Sequence, residues 1–244
     1  MKCLVFVLMA AAASAQPYEL GLTLQSGGER KVYRGWPLIV RGTALWTHDA
    51  EDREEGGPEG VKLNAGAASL AIYNAGGAEV ELPLRPAAPA EESTQLDAER
   101  LVAEAVWVLE GDVALPAGRY AARFTWGGAE AVIVEFEVAE PPGELSRAEQ
   151  ILLARLRSEA RRLAGDPDGA LRAVEEALGR NPDSIALQTQ KAVVQAEAGQ
   201  LAEALATLST AMELFEQQSP RPSHPPAEIL EIRRRIWARL LQIE

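Results

Sequence analysis

The sequence contains few of the residue types that most often perform catalysis. One cysteine and two histidines occur among 244 residues, and the cysteine is Cys3. No Gly-x-Ser-x-Gly, Ser-x-x-Lys or glycine-rich phosphate loop is present. We therefore predict a protein that is not an enzyme and has no catalytic residue, cofactor or metal. Paired carboxylates for glycoside hydrolysis stay open, because their separation in space is not visible in a sequence.

The one histidine in an acidic context is His48. It lies in a loop over 47–60 and is followed by Asp49, Glu51 and Asp52. This spacing fits neither a helical histidine pair nor a calcium-binding loop. We interpret the segment as a solvated acidic loop, with a histidine–carboxylate metal site as the alternative.

Basic residues are outnumbered by acidic ones. The chain has 24 Lys and Arg against 36 Asp and Glu, a net charge of −12 at pH 7. Residues 17–140 alone hold 21 acidic and 10 basic side chains. A negative surface repels phosphate backbones, so we predict no nucleic-acid partner. The excess acid is typical of a surface that keeps a protein soluble.

No apolar run reaches the ~20 residues that span a bilayer. The longest run follows Lys2 and ends in the small-residue motif Ala13-Ser-Ala15. These features predict a signal peptide over 1–15, cleaved before Gln16, and a periplasmic or secreted protein with no membrane span after cleavage. A buried N-terminal helix or a membrane anchor is the alternative. Cleavage would remove Cys3, so the domains would be held together by packing without disulfides. These features are compatible with a bacterial exported protein.

Alternating apolar and polar side chains from 18 to 139 predict an all-β first domain. A period of two places one apolar face on each half-buried strand. Short strands separated by turn residues are typical of a β-sandwich. The predicted strands are 18–25, 36–46, a hairpin of 69–73 with 79–84 around Asn74–Gly77, and a hairpin of 120–126 with 132–138 around Gly127–Gly128.

The segment Leu115-Pro-Ala-Gly-Arg-Tyr120 sharpens this prediction. It resembles the turn and tyrosine that open a late strand in immunoglobulin-like (Ig-like) and fibronectin-like domains, where the hydroxyl bonds to nearby backbone. The resemblance implies an Ig-like antiparallel β-sandwich.

The hydrophobic period changes to 3.6 after Glu140-Pro-Pro-Gly-Glu144, which predicts a linker followed by helices. Asp166 and the pair Asp183-Ser184 offer caps, and Pro167 suits a first helical turn. The predicted helices are 146–164, 167–179, 184–198, 201–217 and 227–242. The apolar residues of the last helix are Ile229, Leu230, Ile236, Trp237, Leu240 and Leu241.

An approximate repeat of 34 residues runs through the helical part. Gly165, Ala170, Leu171 and Ala177 recur as Gly199, Ala204, Leu205 and Ala211. The repeat resembles tetratricopeptide (TPR) repeats, which are helix-turn-helix units of this length. It departs from their pattern at Ala154 and Gln188, where large aromatic residues are expected, and at Glu216, where a proline is expected.

The TPR resemblance implies a surface for a protein or peptide partner. In such arrays the first helix of each unit lines the groove. By position, the implied binding residues are Arg155, Glu159, Arg162, Thr189 and Val193, and the two arginines could clamp a partner carboxylate. An ordinary solvated helix face is the alternative. The helix at 227–244 would either cap the array or occupy its groove.

Four tryptophans, Trp36, Trp46, Trp107 and Trp126, lie in the predicted sandwich. Each stands in or beside an apolar stretch, so we predict core positions. If they formed an exposed row, the protein would instead be a carbohydrate-binding or carbohydrate-cleaving sandwich with a helical appendage.

Together these patterns predict an exported, non-catalytic adaptor or scaffold at the cell envelope, of multidomain fold, all-β then all-α. The predicted order is a signal peptide at 1–15, an Ig-like β-sandwich at 17–140, a linker at 141–145, TPR-like helical repeats at 146–218, a proline-rich connector at 219–226 and a capping helix at 227–244. The sequence does not indicate an oligomeric state.

Overall fold

The computed structural model describes residues 17–27, 30–47, 60–87, 93–97, 101–109, 113–218 and 224–241. They form two compact units, the first ending at Pro141 and the second beginning at Pro142. Within the described residues the first unit contains strands and one short 3₁₀ turn, and the second contains α-helices. The predicted order, all-β then all-α, is confirmed. The predicted signal peptide and the candidate ligands His48, Asp49, Glu51 and Asp52 lie outside the described residues.

The described strands of the first unit form two larger sheets and one small one. Their bounds are β1 Tyr18–Gln25, β2 Lys31–Tyr33, β3 Leu38–Trp46, β4 Val61–Asn64, β5 Ser69–Asn74, β6 Arg85–Pro86, β7 Ser93–Leu96, β8 Val102–Leu109, β9 Gly118–Thr125 and β10 Val132–Ala139. The first large sheet has the order β1-β3-β8-β6 and the second β2-β10-β9-β5. All pairs are antiparallel except β2 with β10, which is parallel. Strands β4 and β7 pair separately.

Side chains from both large sheets meet in a single core. Strand β10 alternates buried and exposed residues along its length, as its period of two predicts. Its inward residues lie in the same cluster as Leu20 and Leu22 of β1 and Phe124 of β9. Gly42 of β3 permits a close approach, because a Cβ there would lie 2.4 Å from the Phe124 ring. The apolar area removed from water on both inner faces stabilises the sandwich.

The predicted hairpin around Gly127–Gly128 is confirmed, with Phe124 opposite Val132. The hairpin predicted around Asn74–Gly77 is only partly formed. Its turn is present, with the Asn74 side-chain oxygen accepting from the Gly76 nitrogen at 2.9 Å. The return strand at 79–84 was a wrong prediction, since beyond a bridge from Glu79 to Tyr73 this segment is irregular and β5 pairs with β9 instead. Its alternating apolar residues still pack against the core, which explains the misleading pattern.

The second unit contains five described helices at the predicted places. They are α1 Arg147–Leu163, α2 Pro167–Arg180, α3 Ile185–Glu197, α4 Leu201–Glu216 and α5 Ala227–Leu241. Three of them begin with a side-chain cap. Ser146 forms a capping box with Glu149, Asp166 accepts from the Gly169 nitrogen at 2.8 Å, and Ser184 accepts from the Leu187 nitrogen at 3.3 Å. Each cap satisfies a backbone donor that the helix leaves free, so the sequence sets these boundaries closely.

The helices pack as two successive hairpins with α5 against the second. Helices α1 and α2 form one hairpin, and α3 and α4 form the next. Helix α3 also packs on α1 and α2, whereas α5 packs on α3 and α4. The small residues predicted at the helix crossings are buried, among them Ala170, Ala192, Ala204 and Ala211. None of the helices in the described chain has the length and hydrophobicity of a membrane span.

Candidate partner-binding surface

The five predicted binding residues lie on two neighbouring helices. Arg155, Glu159 and Arg162 belong to α1, and Thr189 and Val193 belong to α3. Spacings of three and four residues place side chains on one helix face. The structure therefore places the first three on one face of α1 and the last two on one face of α3, and these two helices pack on each other.

Arg162 is the centre of a network that links α1 to α3. Its guanidinium donates to Glu159 at 2.7 Å and to Glu197 at 2.5 Å. The side chains of Arg162 and Glu159 are each only 17% exposed. Gln190 adds a bond to Glu159 at 3.3 Å. This arginine therefore already holds two carboxylates of its own chain.

Burial and charge act in opposite directions on the pKa of Arg162. Loss of solvent lowers it, but hydrogen bonds and the charges of Glu159 and then Glu197 outweigh this effect and raise the pKa. The cation is thus stabilised in place, and the network favours a structural connection between helices.

Arg155 is more accessible and makes a weaker connection. Its side chain is 30% exposed and donates to Glu228 in the first turn of α5 at 3.0 Å. Its Nε atom is buried and has no hydrogen-bond partner among the described residues. Because the pair with Glu228 is partly exposed, the terminal nitrogen of Arg155 can bind a different carboxylate if Glu228 moves away.

Thr189 and Val193 are packing residues. Thr189 is buried and its hydroxyl donates to the Ile185 carbonyl at 2.8 Å, one turn earlier in α3. Val193 is partly buried against the cluster that α3 and α4 share with α5. Of the five residues, Arg155 offers the most adaptable polar group.

Helix α5 packs on the second hairpin. Its Ile229, Ile232 and Ile236 are buried against α3 and α4. At the other end, Arg239 donates to the Ala196 carbonyl of α3 at 3.0 Å, where a cation is favourable at a helix C-terminus. Of the apolar set predicted for this helix, Leu230, Trp237 and Leu241 are exposed instead of packed.

Two further links between elements were missed by sequence reasoning. Arg147 donates to Asn181 at 3.0 Å and pairs with Asp183, so the start of α1 is bound to the loop before α3. Gln195 of α3 accepts from Thr207 of α4 at 2.7 Å. The repeat length was an available signal for the first link, because Arg147 and Asn181 are 34 positions apart.

The sandwich tryptophans do not form an exposed row. Trp36, Trp46 and Trp126 are buried. Trp107 is partly buried and contacts Phe124 edge-on, with ring centroids 5.8 Å apart. The prediction of core positions is thus confirmed for three of the four, and these rings are not free to stack on sugars.

Comparison with known proteins supports the helical repeat. The tetratricopeptide repeat family model matches residues 161–222, which cover the end of α1 and all of α2 to α4. No curated protein matches the chain. A solved structure of a DUF4426 family protein from Pseudomonas aeruginosa PAO1 is similar at 7% identity and a TM-score of 0.26, covering 53% of this chain and 99% of that one. Similarity at this level defines neither fold nor function.

Proposed function

We propose that this protein is a non-catalytic adaptor or scaffold that binds a protein or peptide partner through its helical unit. The observation that carries the proposal is the tetratricopeptide match on the stacked hairpins of α2 to α4. Repeats of this class use stacked hairpins to present a surface to other proteins. Export to the periplasm or the cell exterior is part of the proposal and rests on the sequence of residues 1–15.

In this proposal the first unit is an Ig-like domain that precedes the helical one in the chain. Its strand order agrees with that identity, since β1, β3, β8 and β6 correspond to the ABED sheet and β5, β9 and β10 to the CFG sheet. The Tyr120 hydroxyl also donates to the Pro116 carbonyl at 2.9 Å, as in a tyrosine corner. Both features support an Ig-like assignment independently of sequence similarity.

Cross-linking of the full-length protein in its native envelope tests the proposal. If a partner carboxylate binds Arg155, Glu228 competes with it, so Glu228→Ala should raise the yield of the cross-linked adduct roughly threefold, since exposed ion pairs contribute up to about 1 kcal/mol. Arg155→Ala should lower the yield. Glu176→Ala is the matched control, because Glu176 is an exposed acid of α2 that pairs with Arg180 instead.

An adduct that forms equally well without residues 142–244 would contradict binding by the helical unit. If the adduct yield is unchanged in both the Arg155 and the Glu228 variants, the partner does not bind at the predicted face. A reproducible polysaccharide hydrolase activity would instead favour the carbohydrate alternative.

A further inference from the structure

Helix α5 has two separate apolar faces. Ile229, Ile232 and Ile236 form the buried one. Leu230, Trp237 and Leu241 are 48%, 48% and 71% exposed. At about 100° per residue, these three positions fall within roughly 40° of one another around the helix. They lie along one side of the helix over three turns, with Arg233 and Arg234 between Leu230 and Trp237, and we name this side the outer face of α5.

The outer face of α5 takes no part in its packing on the preceding hairpin, which uses Ile229, Ile232 and Ile236. Helix α5 packs on the preceding hairpin, α3 and α4, and within the described chain nothing covers its outer face. Contiguous exposed apolar side chains on a folded protein mark an interaction surface more often than scattered single ones do.

The charge at this face is opposite to that of the molecule. Helix α5 has four arginines against two glutamates, whereas the whole chain has a net charge of −12. Arg233 and Arg234 lie between the apolar side chains of the outer face. Arg234 is bound by Glu231 at 2.9 Å, but Arg233 is exposed and forms no ion pair with any residue that the structure describes. The outer face therefore combines a large aromatic ring with an uncompensated cation, two residue types enriched at the energetic centres of interfaces.

We propose that the outer face of α5 is the docking surface for an acidic amphipathic helix of a partner protein. The inference rests on the proposed adaptor function and specifies where the partner binds and what chemistry it has. A helix fits because the exposed ridge follows helical spacing and can pack against the groove of another helix. Acidic residues fit because they would neutralise Arg233. Symmetric pairing of two copies would bring two positively charged faces together.

The test uses a synthetic peptide of about five helical turns, with leucines along one face and glutamates on the others. Its counterpart has lysine in place of every glutamate. The full-length protein should bind the acidic peptide at least about tenfold more tightly, because charge complementarity excludes like-charged partners. Trp237→Ala and Arg233→Glu should each weaken binding by about tenfold or more, as is common for truncated interface anchors. Fluorescence anisotropy of the labelled peptides measures both effects.

Matched controls distinguish binding at the outer face from non-specific binding. Ile133→Ala removes an equally exposed apolar side chain from the sandwich, and Arg180→Glu reverses an exposed arginine of α2. Both variants should bind the acidic peptide as the wild type does. Arg233 is exposed, so its variant retains the buried packing of α5 and keeps the test valid if Trp237→Ala unfolds the helix.

Each other outcome overturns the inference. Equal binding of both peptides would show a non-specific apolar patch. Self-association that is abolished by Trp237→Ala would make a second copy the occupant. If the acidic peptide does not bind while the Arg155-dependent adduct persists, the docking surface is wrong and the adaptor function stands. If the acidic peptide does not bind and the Arg155-dependent adduct is also absent, the adaptor function fails as well.

Discussion

Single polar side chains in the sandwich donate to specific backbone carbonyls. The Tyr18 hydroxyl lies 3.2 Å from the Trp126 carbonyl and 3.1 Å from that of Gly127. Burial raises the pKa of Tyr18, so its hydroxyl remains protonated and able to donate. Gly127 is required at this contact, because its φ is +61° and a Cβ would lie 2.4 Å from the hydroxyl. These bonds fix chain segments that are distant in sequence.

The bond from Tyr120 to Pro116 gives a prediction at this scale. Tyr120→Phe keeps the ring, which stacks on Phe136, and removes only the hydroxyl donor. The free energy of unfolding should fall by ~1 kcal/mol, the usual net contribution of one hydrogen bond. Urea denaturation measures the change. Tyr73→Phe is the control, because no hydrogen bond of the Tyr73 hydroxyl is present among the described residues. Equal stability of both variants would remove the support for a tyrosine corner.

Among the elements, the connection between α1 and α3 depends on the Arg162 network. Arg162→Met removes the cation that donates to Glu159 and Glu197, and the loss of one member of a largely buried ion pair is costly. We expect a loss of roughly 2–3 kcal/mol in unfolding free energy, less than for full burial because some exposure remains. Arg180→Met removes a similar pair with Glu176 whose side chains are 67% and 74% exposed. That control should change stability by less than ~0.5 kcal/mol.

Thermal and urea unfolding of the two variants give the comparison directly. A cost at Arg162 no larger than at Arg180 would mean that the network is solvated and adds little to the packing of the helices. The result also bears on function, since an arginine that holds its own helices together is not available to a partner.

Element boundaries were predictable where local chemistry sets them. The starts of α2 and α3 have the predicted caps at Asp166 and Ser184, and α1 begins as expected after Ser146, whose capping box with Glu149 was not predicted. Strand β8 was not predicted, because its residues do not alternate cleanly between buried and exposed. The short strands β2, β4, β6 and β7 were not predicted either, because two to four residues show no clear period. The parallel pairing of β2 with β10 joins segments that are far apart in the chain, and the sequence pattern did not predict it.

The predicted binding face also combines features that the sequence predicts with contacts that only the folded structure shows. The TPR resemblance implied five residues on two helices, but it could not show that Glu197 and Glu228 would bind the two arginines. It also could not separate the two apolar faces of α5. Ile229 and Leu230 are adjacent in sequence, and only the packing against α3 and α4 decides which is buried.

On the scale of the whole molecule, each unit has the core needed for folding by itself. The cluster of the first unit draws on both sheets, while α3, α4 and α5 share one cluster and α2 and α3 share another. Glu140-Pro-Pro-Gly-Glu144 joins the units, and two prolines cannot continue either a strand ladder or a helix. Stability should therefore reside in each unit separately.

Two fragments, 17–140 and 144–244, test this expectation. We predict that circular dichroism will show β structure in the first and helix in the second. Each should unfold cooperatively, because the described core residues of each unit pack with residues of the same unit. Shortening the second fragment to 144–218 removes α5 and leaves the apolar surface of Ala204, Leu208 and Ala211 open to water. This shorter fragment should melt at a lower temperature and bind a hydrophobic dye, as a repeat array without its cap does. If 144–218 were as stable as 144–244, α5 would not be a cap. If neither of the two longer fragments unfolded cooperatively, the units would depend on each other for folding.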